Sequence, residues 1–237
     1  MSSAFLTARW ERLVMANYVV DADILKPFLP HKTELDLFDG KVYVSLVGFM
    51  FNNTRVMGIK IPFHVNFEEV NLRFYVRYND NGTWKRGTVF IKEIVPKRAI
   101  SFIANTIYHE KYITRKMKNL RADSGNEMTI SYEWENSGKW NRIGATVDKT
   151  AIPMHPGSKE EFIAEHYWGY SKYDDDTTFE YQVQHPAWKI FTVKNYLVDC
   201  DFKSLYGDAF AELSTTKPDS VLVAEGSEIA VLKKRRL

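Results

Sequence analysis

Between Glu69 and Tyr78 the chain alternates without a break. Val70, Leu72, Phe74, Val76 and Tyr78 interleave with Glu69, Asn71, Arg73, Tyr75 and Arg77. A period of two predicts a strand with one apolar and one largely polar face. The polar face has two readings on pattern alone: the wet side of an antiparallel sheet, or a barrel wall lining a cavity. Asn79-Asp80-Asn81-Gly82 supplies turn residues, and Thr88–Val95 returns as a second strand whose apolar run is interrupted by Lys92 and Glu93. After Pro96, the residues Ile100, Ile103, Ala104 and Ile107 fall at helical spacing, which predicts a helix over 97–108. Lys97 and Arg98 then occupy a first turn whose dipole disfavours cations. A bound anion there would relieve the conflict, and so would side chains reaching into water.

The rest of the chain repeats the strand pattern. Phe5–Val19 opens with a strand, residues 21–30 read as a short helix stopped by prolines, and Thr33–Phe38 is a short strand. Asp39-Gly40 is a hairpin signal before Lys41–Phe51, which is apolar on both faces. Met128, Ile130, Tyr132 and Trp134 alternate with polar residues, and Trp140–Lys149 is their hairpin partner. Ser158-Lys159-Glu160-Glu161 is a capping box for a helix predicted to run to Trp168 and stop at Gly169. Phe179–Val183 and Trp188–Val198 are further strands, Phe202–Leu213 is helical, and Val221–Leu232 closes the chain with one or two strands. Roughly ten strands with few helices point to a mainly β (α+β) antiparallel barrel or sandwich rather than βαβ units.

Composition narrows the function. At 237 residues, 45% hydrophobic and 26% charged, the chain is long and apolar enough for one core, and a single domain over 1–237 is expected. A net charge of +2 gives no electrostatic case for nucleic acid, and Lys233–Arg236 reads as a solvated tail. The single cysteine, Cys200, rules out an internal disulfide framework and a cysteine-rich zinc site. No stretch looks like a signal peptide or a membrane helix, so a cytoplasmic protein without membrane partners is the expectation.

Six stretches together resemble the DUF2071, or YqjF-like, family. They are TARWERLVMANYVVDADILKPFLP, ELDLFDGKVYVSLVGFMF, PFHVNFEEVNLRFYVR, GTVFIKEIVPKRAI, EHYWGY and YQVQHPAW, in one order along most of the chain. The resemblance implies the acetoacetate decarboxylase fold, a cone-like β-barrel with peripheral helices and a central pocket. It moves Glu69, Asn71 and Arg73 toward the cavity reading. The decarboxylases act through a lysine that forms a Schiff base with a keto acid, its pKa lowered by a neighbouring cation. Two registers place that lysine here. Val95-Pro96-Lys97-Arg98 has the local look of the motif. Element order instead puts it at Tyr108–Tyr112, with Lys111 where the family has proline and Tyr112 where it has the reactive lysine. The second register keeps order and spacing, and leaves decarboxylation unsupported.

The catalytic candidates are therefore Lys97, Lys111 and Tyr112, and the ligand-binding candidates are Glu69, Asn71, Arg73, Glu93, His166 and Tyr167. Arg73 is expected to be buried against a carboxylate, Glu69 or Glu93, and to border the cavity with His166 or Tyr167. The first reading of His166 is a hydrogen-bonded structural histidine joining helix to barrel; the other is an acid, base or ligand anchor. His64, Glu68 and Glu69 bring one histidine and two carboxylates with no matching second histidine, a weak ligand set for a metal site, and no cofactor motif is present. Two classes remain: a binding protein for a small organic anion or carbonyl compound, or a decarboxylase-like enzyme using Lys97 or Lys111. Homo-oligomerisation stays open.

Overall fold

The computed structural model describes residues 4–237. Its strands are β1 (Leu6–Val20), β2 (Thr33–Leu35), β3 (Val42–Val56), β4 (Phe67–Asp80), β5 (Thr83–Val95), β6 (Tyr112–Thr114), β7 (Met117–Ser124), β8 (Glu127–Asn136), β9 (Lys139–Pro153), β10 (Trp168–Lys172), β11 (Thr178–Gln184), β12 (Lys189–Asp199), β13 (Ser220–Val231) and β14 (Arg235–Arg236). All join one 14-stranded sheet. Helices α1 (Arg98–Tyr108), α2 (Lys159–Ala164) and α3 (Phe202–Tyr206) and two short 3-10 segments complete the chain.

The pairings run β11-β10-β5-β4-β3-β1-β13, and β11 meets β13 again through Val183–Val231 and Gln184–Ala230. The path therefore closes into a ring, which removes sheet edges at that point. It is antiparallel except where β10 lies parallel to β5; β6 also pairs parallel to β5. Beyond β13 the sheet continues through β12, β9 and β8 to β7.

That extension folds back over the ring. Val70, Leu72, Phe74 and Val76 of β4 pack in one cluster with Tyr132 and Trp134 of β8, Ile143 of β9 and Phe202 and Leu205 of α3. The apolar face of β4 thus points outward into a second layer. Its polar face turns into the ring, where α1 and α2 cover a separate cluster that includes Leu13, Tyr43, Tyr75, Ile100 and Phe162. The two layers approach closely at Gly48 of β3. A Cβ there would lie 2.7 Å from Tyr132 Cδ2 and 2.9 Å from Ile143 Cγ2.

Three expectations change. The helix predicted to reach Trp168 ends at Ala164, and Trp168 opens β10 instead, paired with Gly87 of β5. A capping box fixes where a helix starts, whereas here the pull of a sheet partner fixes where it stops. The strand β7 has no apolar alternation to announce it: its residues are largely exposed and it exists through pairing with β8. The basic tail is not solvated as a whole. Arg235 pairs with Glu180 at 2.6 Å and Asp80 at 2.8 Å, because the fully buried Glu180 needs a cation.

Replacing Gly48 by alanine must push β8 and β9 off the ring. Overpacking of this kind costs about 1–3 kcal/mol, so Gly48→Ala is expected to lower the urea unfolding midpoint clearly, with the m-value unchanged.

Candidate functional site

Inside the ring lies a cavity of about 130 Å³. That is close to the ~150 Å³ cavity that holds a benzene, so it suits a ligand of about six non-hydrogen atoms. Apolar walls come from Trp10, Phe49, Phe51, Ile100 and Trp188, and polar groups enter from β4, β5, β6 and β11.

Strand β4 sends Glu69, Asn71 and Arg73 inward on one parity. On β5 the parity breaks. Leu72 faces Lys92 but Arg73 faces Phe90, so Ile91 is an extra residue and the strand bulges. Phe90 and Glu93, three positions apart, consequently both line the cavity. Lys92 goes the other way and donates to the Leu205 carbonyl in the outer layer. At the end of α1, His109 takes a left-handed conformation (φ 56), and the redirected chain brings Glu110 and Tyr112 to the cavity. Tyr181 reaches it from β11 because Gly169 leaves room: a Cβ at Gly169 would sit 2.1 Å from the Tyr181 ring.

Three carboxyls converge. Glu69 accepts from Asn71 Nδ2 and from the Tyr112 hydroxyl, each at 2.9 Å. Glu110 accepts from the Tyr181 hydroxyl at 2.8 Å. Glu93 Oε2 has no hydrogen-bond partner in the protein. Burial pushes Glu69 up to about 7, against the opposing hydrogen bonds and the charge of Arg73. Burial likewise raises Glu110 to about 8. Glu93 is held well above the usual carboxylate range by burial and then by the charges of Glu110 and Glu69.

The other end is basic. Arg73 is buried, as expected, and borders the cavity with His166. It does not contact a carboxylate. Its Nη2 donates to the Ile163 carbonyl at 3.2 Å and touches Met15 Sδ at 3.7 Å. The reason is reach. Glu69 and Arg73 are four residues apart on an extended strand, about 13 Å, and the guanidinium finds instead the free carbonyls at the C-terminal end of α2. Arg77, on the same parity, has left the ring: it pairs with Glu34 and stacks on Trp84.

His166 is buried and packs its ring, tilted by 35°, against that of Tyr75 at 4.7 Å. Its Nε2 lies 3.4 Å from Asp36 Oδ2, and Asp36 also accepts from Arg86 at 2.6 Å. Burial works against the Asp36 charge, but the His166 and Arg86 hydrogen bonds outweigh it and keep the carboxyl low. Burial lowers His166 to about 4 despite the support of Asp36, so the ring is neutral at physiological pH. Its single proton belongs on Nε2, facing the carboxylate, and Nδ1 is bare.

Of the other expected residues, Tyr167 stands outside, in an outer groove bounded by Trp84, Lys85 and Glu165. Among the described residues no lysine lines the cavity. Lys97 caps α1 without a side-chain hydrogen bond, Arg98 beside it is exposed, and the Lys111 ammonium sits over the ring of Phe28. Tyr112 alone of the catalytic candidates enters the cavity. Glu68 turns to the outer layer and meets Asn119 at 3.3 Å, away from its neighbour Glu69. The sequence reading missed Glu110, Tyr181, Asp36 and Trp10. Tyr181 was legible in the alternation of Phe179, Tyr181 and Val183; Glu110 lies in a connection without periodicity, and Asp36, expected inside a Thr33–Phe38 strand, falls just beyond β2, which ends at Leu35.

The family model DUF2071, described as an uncharacterized conserved protein, matches residues 7–228. The protein YqjF of Bacillus subtilis (strain 168), itself described as uncharacterized, is 27% identical over 182 residues, 76% of this chain and 72% of its own. Among solved structures, an acetoacetate decarboxylase from Legionella pneumophila superposes with a TM-score of 0.65 at 13% identity, covering 100% of this chain and 88% of the other. The enduracididine biosynthesis enzyme MppR, complexed with pyruvate, gives a TM-score of 0.69 at 14% identity, covering 100% and 91%. Likeness at this identity establishes the fold. Among the described residues no helix is long and apolar enough to cross a membrane.

The buried acids fix the pH dependence of stability. Carboxyls whose folded pKa is raised stabilise fully below their unfolded value and lose that contribution as pH rises through about 7 to 8. His166, lowered to about 4, acts oppositely and loses its contribution as pH falls below its ordinary value of 6.5. Glu93→Gln removes one raised carboxyl. It is expected to unfold at higher urea than the parent near pH 8.5, with the gap closing near pH 5.

Proposed function

This chain belongs to the DUF2071 family, and we propose that its interior cavity binds a small organic anion or carbonyl compound, with Arg73 anchoring the anionic end. One observation carries this reading. Trp10 Nε1, Asn71 Oδ1, Arg73 Nε, Glu93 Oε2 and His166 Nδ1 are buried without a hydrogen-bond partner in the protein, and all five residues line the same cavity. Each such atom costs about 1–3 kcal/mol if left unpaired. Their gathering around one small space is the signature of a site built for a polar guest.

Charge supports an anion. With the three carboxyls protonated, Arg73 leaves the interior with a positive charge. As Glu69 ionises near pH 7, that charge is cancelled. MppR, which shares this fold, is described as complexed with pyruvate, a small keto acid. The raised carboxyls also have the proton affinity of general acids and bases at neutral pH. A decarboxylase-type enzyme using Lys97 or Lys111 is the weaker reading, since neither lysine borders the cavity and the chemistry needs an amine against the substrate carbonyl.

Small carboxylates are expected to raise the melting temperature of the protein near pH 6, and less near pH 8.5 as Glu69 ionises. Arg73→Met should abolish that stabilisation. Borohydride added with acetoacetate should leave no lysine adduct by mass spectrometry. An adduct lost in Lys97→Met or Lys111→Met would establish the enzyme reading instead.

A further inference from the structure

The unpaired atoms also carry a sign. Arg73 Nε and Trp10 Nε1 are donors in any protonation state. Asn71 Oδ1 is an acceptor, because the amide nitrogen of Asn71 is committed to Glu69 Oε1 at 2.9 Å. Turning the amide would face two oxygens together unless Glu69 carried its proton on Oε1. His166 Nδ1 is an acceptor because Nε2 faces Asp36, a carboxylate already engaged by Arg86. Both residues are deeply buried, Asn71 at 1% and His166 at 7% exposure. Glu93 Oε2 serves either way, according to its proton.

A 2-keto acid offers acceptors only. It would satisfy Arg73 and Trp10 and leave Asn71 Oδ1 and His166 Nδ1 facing lone pairs in a dry cavity. An acid that brings its own O–H or N–H satisfies both kinds. Resting on the anion-site reading above, we propose that the ligand is a small carboxylic acid carrying a hydrogen-bond donor on the carbon next to the carboxylate, a 2-hydroxy or 2-amino acid rather than a 2-keto acid. The carboxylate lies toward Arg73, and the donor meets His166 Nδ1 or Asn71 Oδ1. The space, about 130 Å³, admits the three-carbon members of each class.

Calorimetric titration of the full chain with lactate, alanine and pyruvate near pH 6 tests this. Lactate or alanine, or both, should bind at least about tenfold more tightly than pyruvate, the scale expected when an analogue leaves a buried polar group unpaired. The lactate and alanine arms separate a hydroxyl donor from an amine. His166→Phe should shrink the ratio of donor-bearing-acid affinity to pyruvate affinity, and His166→Gln, which keeps a carbonyl acceptor, should restore part of that ratio. Equal or tighter binding of pyruvate in the parent overturns the donor requirement and leaves the anion site standing. No binding by any of the three overturns both. The parent's own ranking decides the matter if the histidine variants do not fold.

Discussion

The structure depends on β4 being covered on both faces. A two-layer sheet would bury only one face of such a strand and leave Glu69, Asn71 and Arg73 in water. Here the apolar side of β4 is taken by β8, β9 and α3, and the ring closes over the polar side through the β11–β13 pairing. Polar side chains have no exit from such an enclosure, so each must find a partner inside or remain unpaired.

Most of the interior chemistry follows from how incompletely that demand is met. Three carboxyls share the space with one guanidinium, and the guanidinium is held at the far end by the Ile163 carbonyl. Without an ion pair, burial dominates each acid and favours its neutral form. Tyr112 and Tyr181 each hold a carboxyl in place, which orients the acids without removing the raised proton affinity. At the opposite end, the Arg86–Asp36–His166 chain fixes one tautomer. A cavity with acids of raised proton affinity at one end and a cation with a bare imidazole nitrogen at the other is polarised before any ligand enters.

The strands were readable because their periodicity is local, and the β4 pattern located the site directly. Its neighbour β5 was only half legible. The bulge at Ile91 sends Phe90 and Glu93 to the same side, and a period-two reading puts them on opposite sides. The pairing of Arg73 with a carboxylate was expected from the cost of buried charge. The principle holds, but a backbone carbonyl at a helix end met the demand. Glu110 was invisible because a loop residue has no period, and its direction is set by what packs beneath it; Asp36, expected inside a strand over Thr33–Phe38, lies just past the end of β2 at Leu35.

By itself the sequence determined the alternation of β4, the start of α1 after Pro96, the absence of a cysteine framework, and the family resemblance of the chain. These are local or compositional facts, fixed by backbone periods and side-chain chemistry. Tertiary structure alone decided which face of β4 is the inside, because parity says only that two faces differ. It also brought Glu69, Glu93, Glu110 and His166 to one cavity from segments distant in the chain. It left both candidate lysines outside, since a side chain's reach is set by the strand or helix end that carries it and by the direction in which that element meets its neighbours.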